Sequence, residues 1–340
     1  MAAYNCNCDG RPRLLLPESR SEGDEEIVFL HCNDAQQASM MTCDGLLCFT
    51  ERDRVIVLNP STGQLQRFRF GPNPVASKSK KSKLSCVMGF GRDKVSGSYK
   101  VVRMFFNSSF HCEILDVNIG EWRKLSPPPY EVDVGTESVC VNGSIYWLRL
   151  GPYFNILALN LHTLEFHDVS LPDTCFTFES HLVNLEDRLV LAKSKTWGGW
   201  ELIIWIMDAE EEIWSSMYSI SLADLTGNPW ETTWFRLVTV SKLGDVVFSD
   251  NHKRLYKYYQ ETAEIRCLSS DICVISPYLE NLVPIRSESG RRDLYPYIRT
   301  SRCRFLDSCG ISTWNPSRIF DIAFIILVGC GCSLMYKIMG

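Results

Sequence analysis

Residues 55–65 read Val55-Ile56-Val57-Leu58-Asn59-Pro60-Ser61-Thr62-Gly63-Gln64-Leu65, a short apolar run that stops at Asn59, turns and restarts on a large apolar residue. The run is rich in β-branched residues and is bounded by turn-forming residues, which predicts a strand. The Asn59 side chain can bond the backbone two residues on, and Gly63 tolerates positive φ, so a tight corner follows. Leu65 then begins a second, antiparallel strand.

The same six-residue offset from a turn residue to a large apolar residue occurs five times, with starts 44 to 57 residues apart. A repeat of about 40–50 residues built from short strands is typical of a β-propeller blade. We therefore predict an all-β β-propeller in which the restart residues are buried between neighbouring blades. A generic antiparallel protein with several similar hairpins is the alternative. The five pairs are Asn59 and Leu65, Asp116 and Trp122, Asn160 and Phe166, Asp208 and Trp214, and Tyr259 and Ile265.

Composition indicates a folded chain with ample core material, since 45% of the 340 residues are hydrophobic. The net charge of −5 gives no overall attraction to nucleic acid, and we expect no nucleic-acid partner. The basic run from Lys78 to Lys83 is interpreted as a solvated loop, with a nuclear-import signal as the alternative.

Fifteen cysteines are present, but no Cys-x-x-Cys occurs, so zinc-site spacing is absent from the sequence. Most lie in apolar strand contexts, where a thiol behaves as a small hydrophobe. The N-terminus lacks a charged segment followed by an apolar one, as a secretion signal would have. We expect a reducing compartment, cytoplasmic or nuclear.

An ordered series of motifs resembles the F-box-associated domain of plant F-box proteins, whose layout is kelch-like. The resemblance covers about residues 13–285, with residues 1–12 predicted as a flexible N-terminus and residues 286–340 as a C-terminal extension. Single motifs are weak, whereas the ordered set is specific. The motifs are Cys43-Asp44-Gly45-Leu46-Leu47-Cys48, Asn59-Pro60-Ser61-Thr62-Gly63, Gly89-Phe90-Gly91-Arg92-Asp93, Gly97-Ser98-Tyr99-Lys100-Val101-Val102-Arg103, Glu121-Trp122-Arg123-Lys124-Leu125 and Val139-Cys140-Val141-Asn142-Gly143-Ser144-Ile145-Tyr146-Trp147-Leu148.

The resemblance implies a kelch-like propeller that captures the target of an SCF-type ubiquitin ligase, whose adaptor docks on an N-terminal F-box of three short helices. Residues 1–42 show no helical apolar period, and residues 27–30 are predicted to form a strand. We therefore expect the F-box itself to be missing and adaptor binding to require a supplied F-box. The alternatives are a free-standing interaction module without ligase coupling and a membrane-tethered scaffold that uses the C-terminal apolar segment.

The sequence offers no catalytic constellation. Gly89-Phe90-Gly91 lacks the third glycine and the helix of a dinucleotide-binding loop, and no phosphate-binding or nucleophile-elbow motif occurs. His162 and His167 are interpreted as ordinary strand and turn positions rather than metal ligands. We expect a protein that is not an enzyme, with no catalytic, cofactor-binding or metal-binding residues.

Aromatic residues in predicted loops are the candidates for binding a protein partner, because such side chains bury a large area at low entropic cost. Packing between blades is the alternative for each, and is preferred for Trp200 and Trp234. The partner-binding candidates are Tyr153, Phe154, Phe176, Trp197 and Trp230.

The C-terminal segment 322–336 carries no charged residue. A membrane-spanning helix needs about 17–25 apolar residues, a length that residues 319–338 reach only if Lys337 snorkels. A membrane tail anchor, a strand and helix packed on the propeller, and an unstructured extension all remain open.

Overall fold

The computed structural model describes residues 3–7, 11–15, 27–29, 41–51, 54–59, 64–70, 86–106, 110–132, 137–149, 154–172, 180–195, 200–225, 233–252, 254–269 and 275–277, together with Asn281 and Ile285. Strands and the turns between them account for nearly all of these residues. Helical structure among them is one 3-10 turn at Ala223–Leu225. The predicted all-β class is confirmed.

Three strands precede five antiparallel four-stranded sheets, and each sheet is a meander in chain order. The early strands are β1 (Ala3–Asn7), β2 (Arg11–Leu15) and β3 (Ile27–Phe29). The first sheet contains β4 (Met41–Cys43), β5 (Leu46–Glu51), β6 (Arg54–Asn59) and β7 (Gln64–Arg69). The second contains β8 (Cys86–Arg92), β9 (Tyr99–Phe106), β10 (Phe110–Asp116) and β11 (Glu121–Leu125).

The remaining sheets follow the same order. The third contains β12 (Ser138–Val141), β13 (Ser144–Arg149), β14 (Asn155–Asn160) and β15 (Phe166–Val169). The fourth contains β16 (Ser180–Leu185), β17 (Arg188–Lys195), β18 (Glu201–Met207) and β19 (Trp214–Ser221). The fifth contains β20 (Phe235–Val240), β21 (Val246–Asp250), β22 (Leu255–Tyr259) and β23 (Glu264–Ser269), and β24 (Ile275–Pro277) comes last.

The first strand of each sheet contacts the first strand of the next, from β4 through β8, β12 and β16 to β20, and β20 contacts β24. The first strands therefore lie side by side at the inner edge, and the fourth strands form the outer edges. This radial arrangement of four-stranded meanders is that of β-propeller blades. It confirms the kelch-like β-propeller predicted from the repeat and the motifs.

An early strand and the last strand of the described chain pair in one sheet. β3 pairs antiparallel with β24, with Phe29 opposite Ile275, which confirms the strand predicted there. Beyond β24, the Asn281 amide donates to the carbonyl of Asp44 at 2.6 Å, and the Ile285 N–H donates to Gln64 Oε1 at 2.8 Å. The segment that follows the last strand is thus hydrogen-bonded to the first sheet.

The repeated polar residues start the turns between the third and fourth strands. Oδ1 of Asp116 accepts hydrogen bonds from the N–H groups of Asn118 and Ile119, at 2.9 and 3.3 Å. Asn160 and Asp208 bind the backbone two and three residues on in the same way. These side chains mimic a backbone turn, which explains the residue type at that position.

The Nδ2 of Asn59, the first of the repeated polar residues, donates to the carbonyl of Asn281 at 2.9 Å. The first copy of the repeat therefore also holds the C-terminal segment.

Of the restart residues, Trp122 and Trp214 are half-buried and contact the neighbouring sheet. The Trp122 indole N–H donates to the carbonyl of Arg69 in the first sheet at 2.8 Å, and that of Trp214 donates to Ser170 at 2.6 Å. Phe166 is likewise half-buried. These residues start the outer strands, which have solvent on one side, so each side chain is only partly covered.

The fully buried tryptophan is Trp147, on β13. Its indole N–H donates to the carbonyl of Met88 at 2.8 Å, joining the third sheet to the second. A Cβ atom at Gly89 would lie 2.3 Å from Cζ2 of Trp147, so only glycine allows this approach. Gly89 of the Gly89-Phe90-Gly91 motif therefore serves packing between the second and third sheets.

Candidate partner-binding faces

The meander gives the propeller two faces with different connections. We call the turn face the one that carries the turns from first to second and from third to fourth strand, such as 44–45, 93–98 and 142–143. We call the loop face the opposite one, where second strands end and third strands begin. Turn-face connections contain two to six residues, whereas the segments joining successive four-stranded sheets at the loop face contain 10 to 16. Long connections on a rigid scaffold are common carriers of binding residues.

Among the described residues, two aromatic side chains at the loop face are exposed: Phe110 at the start of β10 and Trp234 just before β20, each 40% exposed. Phe110 packs edge-on against Phe106 across the hairpin, with ring centroids 5.3 Å apart. This contact limits the freedom of the exposed ring, so less side-chain entropy is lost when a partner covers it.

Trp234 is held at its backbone while its ring projects outward. Its N–H donates to Asn251 Oδ1 and its carbonyl accepts from the N–H of Asn251, each at 3.2 Å. The next residue, Phe235, points inward and is 1% exposed. Core packing was therefore the wrong prediction for Trp234, because the strand alternation places Phe235 in the core instead. Trp200 does pack against the core of the fourth and fifth sheets.

A second aromatic group lies at the loop face of the third sheet. The Tyr130 hydroxyl donates to the Asp168 carboxylate and lies 3.0 Å from Asn155 Oδ1. The Arg149 guanidinium covers the Tyr130 ring at 4.3 Å from its centroid. Burial, followed by the hydrogen bond to Asp168, raises the pKa of Tyr130 well above its usual value. This phenol therefore stays protonated and acts as a fixed donor.

Charged groups close to the inner strands complete the loop face. Arg236 on β20 makes a bidentate ion pair with Glu137, just before β12, at 3.0 and 2.6 Å. His181 on β16 accepts the N–H of Leu237 at 2.8 Å. Burial and the nearby Arg236 charge lower the pKa of His181 to about 3, so the imidazole is neutral at physiological pH. These bonds tie the third, fourth and fifth sheets together.

Among the five aromatic residues predicted to bind a partner, Phe154 is described. It is half-buried and lies immediately before β14 at the loop face. Tyr153, Phe176, Trp197 and Trp230 lie outside the described residues. Each of these four residues lies in a segment between two strands. Those strands end or begin at the loop face.

Sequence reasoning did not select Phe110. A signal was available in the phenylalanines that flank Asn107-Ser108-Ser109, since an exposed hairpin is expected at such a turn.

The turn face is tied together by polar groups that satisfy one another. Buried Asp93 accepts hydrogen bonds from Ser96 and, at 2.9 Å, from Lys100 Nζ, which also donates to the Leu161 carbonyl in the third sheet at 2.5 Å. Burial raises the pKa of Asp93, but the hydrogen bonds from Ser96, Lys100 and the backbone outweigh it and hold that pKa well below its usual value. Asp187 binds the Asn142 N–H at 2.7 Å and pairs with Lys94.

The exposed apolar side chains of the turn face are aliphatic and each stands on a separate turn. They are Val95, Ile119, Ile213 and Leu243. Isolated exposed aliphatic residues are ordinary on protein surfaces. Aromatic residues are enriched in interfaces, so the loop face is the better candidate.

Within the described part of the chain, no group of three or more His, Cys, Asp or Glu residues could hold a metal ion. No helix among the described residues is long and apolar enough to cross a membrane. The apolar segment 322–336 and the whole of 319–338 lie outside the described residues.

The family model for the F-box associated beta propeller domain matches residues 15–270. The chain belongs to this family.

The relatives come from Arabidopsis thaliana and carry F-box names. An F-box/LRR-repeat protein is 52% identical, covering 98% of this chain and 84% of the relative. An F-box protein is 51% identical over 94% of this chain and 81% of its own, and an F-box/kelch-repeat protein is 49% identical over 97% and 83%. Among solved structures, the oligogalacturonate lyase of Vibrio parahaemolyticus aligns with a TM-score of 0.39 at 7% identity over 66% of this chain and 62% of its own. That similarity is too low to support an inference.

Proposed function

We propose that this chain is the target-binding part of an SCF-type ubiquitin-ligase receptor, and that its loop face captures the protein to be degraded. Membership of the F-box-associated family, with F-box proteins as relatives, is the observation that carries the proposal. The chain itself acts as a binding module rather than an enzyme, and the ubiquitin-transferring chemistry belongs to other ligase subunits. The compartment we propose is cytoplasmic or nuclear.

The loop face supplies the features that protein capture needs. Phe110 and Trp234 present exposed aromatic surface from fixed backbone positions. The ion pair between Arg236 and Glu137 holds the sheets below them in place. A rigid scaffold reduces the ordering entropy that binding costs, which favours a specific complex.

Coupling to the ligase requires an F-box, which docks on its adaptor through an apolar helical surface. The described part of residues 3–29 consists of strands, and β3 pairs with β24 in the propeller. We expect the unfused chain not to bind the adaptor, and the same chain with an F-box fused before residue 1 to bind it. Adaptor affinity measured by calorimetry for both proteins tests this expectation.

The two outcomes separate ligase coupling from target capture. Micromolar or tighter adaptor binding by the unfused chain would show that its N-terminal region carries a docking surface of its own. If the fused protein binds the adaptor, its expression in plant cells should shorten the half-life of the captured target. If the target is captured but its half-life is unchanged, the receptor role is wrong and a binding module remains.

A free-standing interaction module is the second candidate, since the pairing of β3 with β24 makes residues 27–29 part of the propeller rather than of an F-box helix. In this case the chain binds the same target through the loop face but protects it by competing with receptors that carry an F-box. Overexpression would then lengthen the half-life of the target. This opposite sign distinguishes the two functions in one experiment.

A further inference from the structure

Two cysteines from non-adjacent sheets meet at the turn-face ends of the inner strands. Cys43 is the last residue of β4 in the first sheet, and Cys140 lies in β12 of the third sheet. These two strands contact each other directly. The Cys43 thiol donates a hydrogen bond to Sγ of Cys140, so the two sulfur atoms are neighbours although 97 positions separate them in the chain.

The inner strand of the second sheet frames this pair. A Cβ atom at Gly91 would lie 2.7 Å from Sγ of Cys140, so the glycine provides the space that the sulfur occupies. The backbone N–H of Arg92 donates to the sulfur atoms of the pair. Three strands therefore converge on the two thiols, and a backbone donor is placed where it stabilises a thiolate.

The two thiols differ in reactivity. The hydrogen bond from Cys43 lowers the pKa of Cys140 and outweighs the opposing effect of burial. The same contact, followed by burial, raises the pKa of Cys43. Because the thiolate is the reactive form, we expect the thiol with the lowered pKa, that of Cys140, to react first with an oxidant. Cys43 and Cys140 keep 8% and 7% of their surface exposed, whereas Cys112 is completely buried, and burial raises its pKa to about 12.

We propose that Cys43 and Cys140 form a reversible disulfide, driven by a peroxide, which links the first sheet to the third at the turn face. The site does not depend on the proposed ligase role. It makes the propeller responsive to oxidants in a compartment where thiols are otherwise reduced.

The chemistry balances with hydrogen peroxide as the oxidant. The Cys140 thiolate attacks one peroxide oxygen, the O–O bond breaks and hydroxide leaves, which gives a sulfenic acid at Cys140. The Cys43 sulfur then attacks the Cys140 sulfur, the S–S bond forms and the sulfenic oxygen leaves as water. Two thiols and one peroxide thus give one disulfide and two waters, and a dithiol reductant reverses the step.

Peptide mapping of the wild-type chain tests the proposal without any variant. The reduced native protein is treated with stepwise hydrogen peroxide, quenched with an alkylating agent and digested without reductant. We expect the peptide pair joined through Cys43 and Cys140 to appear first and to vanish after dithiothreitol. If other cysteines oxidise while this pair stays reduced, or if the same link forms equally in urea, the proposal is wrong.

Serine variants separate the two roles. In Cys43→Ser, dimedone should trap a sulfenic acid at Cys140, whereas in Cys140→Ser labelling at Cys43 should fall at least tenfold. Cys112→Ser is the matched control and should leave the Cys43–Cys140 link intact. Because the link closes a long loop, oxidation should raise the Tm of the wild type by about 5–10 °C and leave Cys140→Ser unchanged. An equal Tm rise in Cys140→Ser would overturn the assignment.

Discussion

At the scale of single residues, tryptophans with similar hydrogen bonds differ in how much of the fold depends on them. Trp147 and Trp122 each donate an indole N–H to a carbonyl of the neighbouring sheet, at 2.8 Å in both cases. Trp147 is fully buried against Gly89, whereas Trp122 is half-buried on an outer strand. The lost apolar contact and the cavity that remains decide the cost of truncation, and both are larger at Trp147.

We therefore expect Trp147→Ala to lower the free energy of unfolding by about 3–5 kcal/mol and Trp122→Ala by about 1–3 kcal/mol. Equilibrium unfolding in urea measures both values. Trp214→Ala, on another outer strand, is the matched control and should resemble Trp122→Ala. Equal decreases in the free energy of unfolding for Trp147→Ala and Trp122→Ala would contradict the claim that Trp147 contributes more to the packing between sheets.

The buried pair of Asp93 and Lys100 gives a prediction about pH. Because the pKa of Asp93 is lowered in the folded state, its contribution is present above the unfolded pKa near 3.8 and is lost as pH falls below that value. Lys100→Met leaves the carboxylate without its cation, so we expect a loss of about 3 kcal/mol at pH 7. Without Lys100 the pKa of Asp93 in the folded state lies closer to its unfolded value near 3.8, so this variant should lose less further stability in acid than the wild type does.

Tm measured between pH 7 and pH 2 tests this prediction, with Asp93→Asn/Lys100→Met as the control. The double variant should recover part of the stability at pH 7 and show a weaker decline in acid. An acid profile of Lys100→Met that matches the wild type would show that the ion pair does not control the pKa of Asp93.

At the scale of elements, the inner hairpins depend on backbone conformations that few residues adopt. The turns at Asp44-Gly45, Asn142-Gly143 and Glu186-Asp187 have positive φ at both positions. Such two-residue turns match the twist of the strands, and Asn-Gly is the preferred pair. Glu186, with φ of 49°, is therefore strained by its residue type rather than by its surroundings.

Replacing Glu186 by Asn should raise the free energy of unfolding by about 0.5 kcal/mol, because Asn tolerates positive φ better. Gly143→Ala should lower it by about 1–2 kcal/mol, since its φ is +79°. The nearest atom to a new Cβ there is the Lys94 nitrogen at 3.5 Å, an ordinary contact, so the loss would come from the backbone alone. Thermal unfolding measures both, and a stabilising Gly143→Ala would contradict the argument.

The hairpins between third and fourth strands were predictable, because their polar residue, turn and restart residue are local in sequence. The extent to which the restart residues are buried was not predictable. It depends on which edge strand of the sheet lies inside, and in the sheet of Trp122 this is β8. The exposure of Trp234 depends on the alternation that buries Phe235. The contact of Cys43 with Cys140 depends on how the first and third sheets approach each other, which no local spacing reveals.

At the scale of the whole molecule, the meander order places polar contacts between the sheets at the turn face and the proposed target-binding residues at the loop face. Short turns bring Asp93, Lys94 and Asp187 together at the turn face, where their bonds join the second, third and fourth sheets. The long connections between sheets fall at the opposite face, together with the exposed Phe110 and Trp234. A target that binds the loop face therefore contacts sheets that are held together by the hydrogen bonds and ion pairs of the turn face.

Affinity for the target, compared between variants of the two faces, tests the central claim most directly. The target is first identified by capture from a plant extract, and its Kd is then measured with purified protein. We expect Phe110→Ala and Trp234→Ala each to weaken binding by about 10–100-fold, as for interface aromatic residues. Ile119→Ala and Leu243→Ala, matched exposed positions on the turn face, should change the Kd less than twofold. Weakening by the turn-face variants with no effect of Phe110→Ala or Trp234→Ala would contradict the claim.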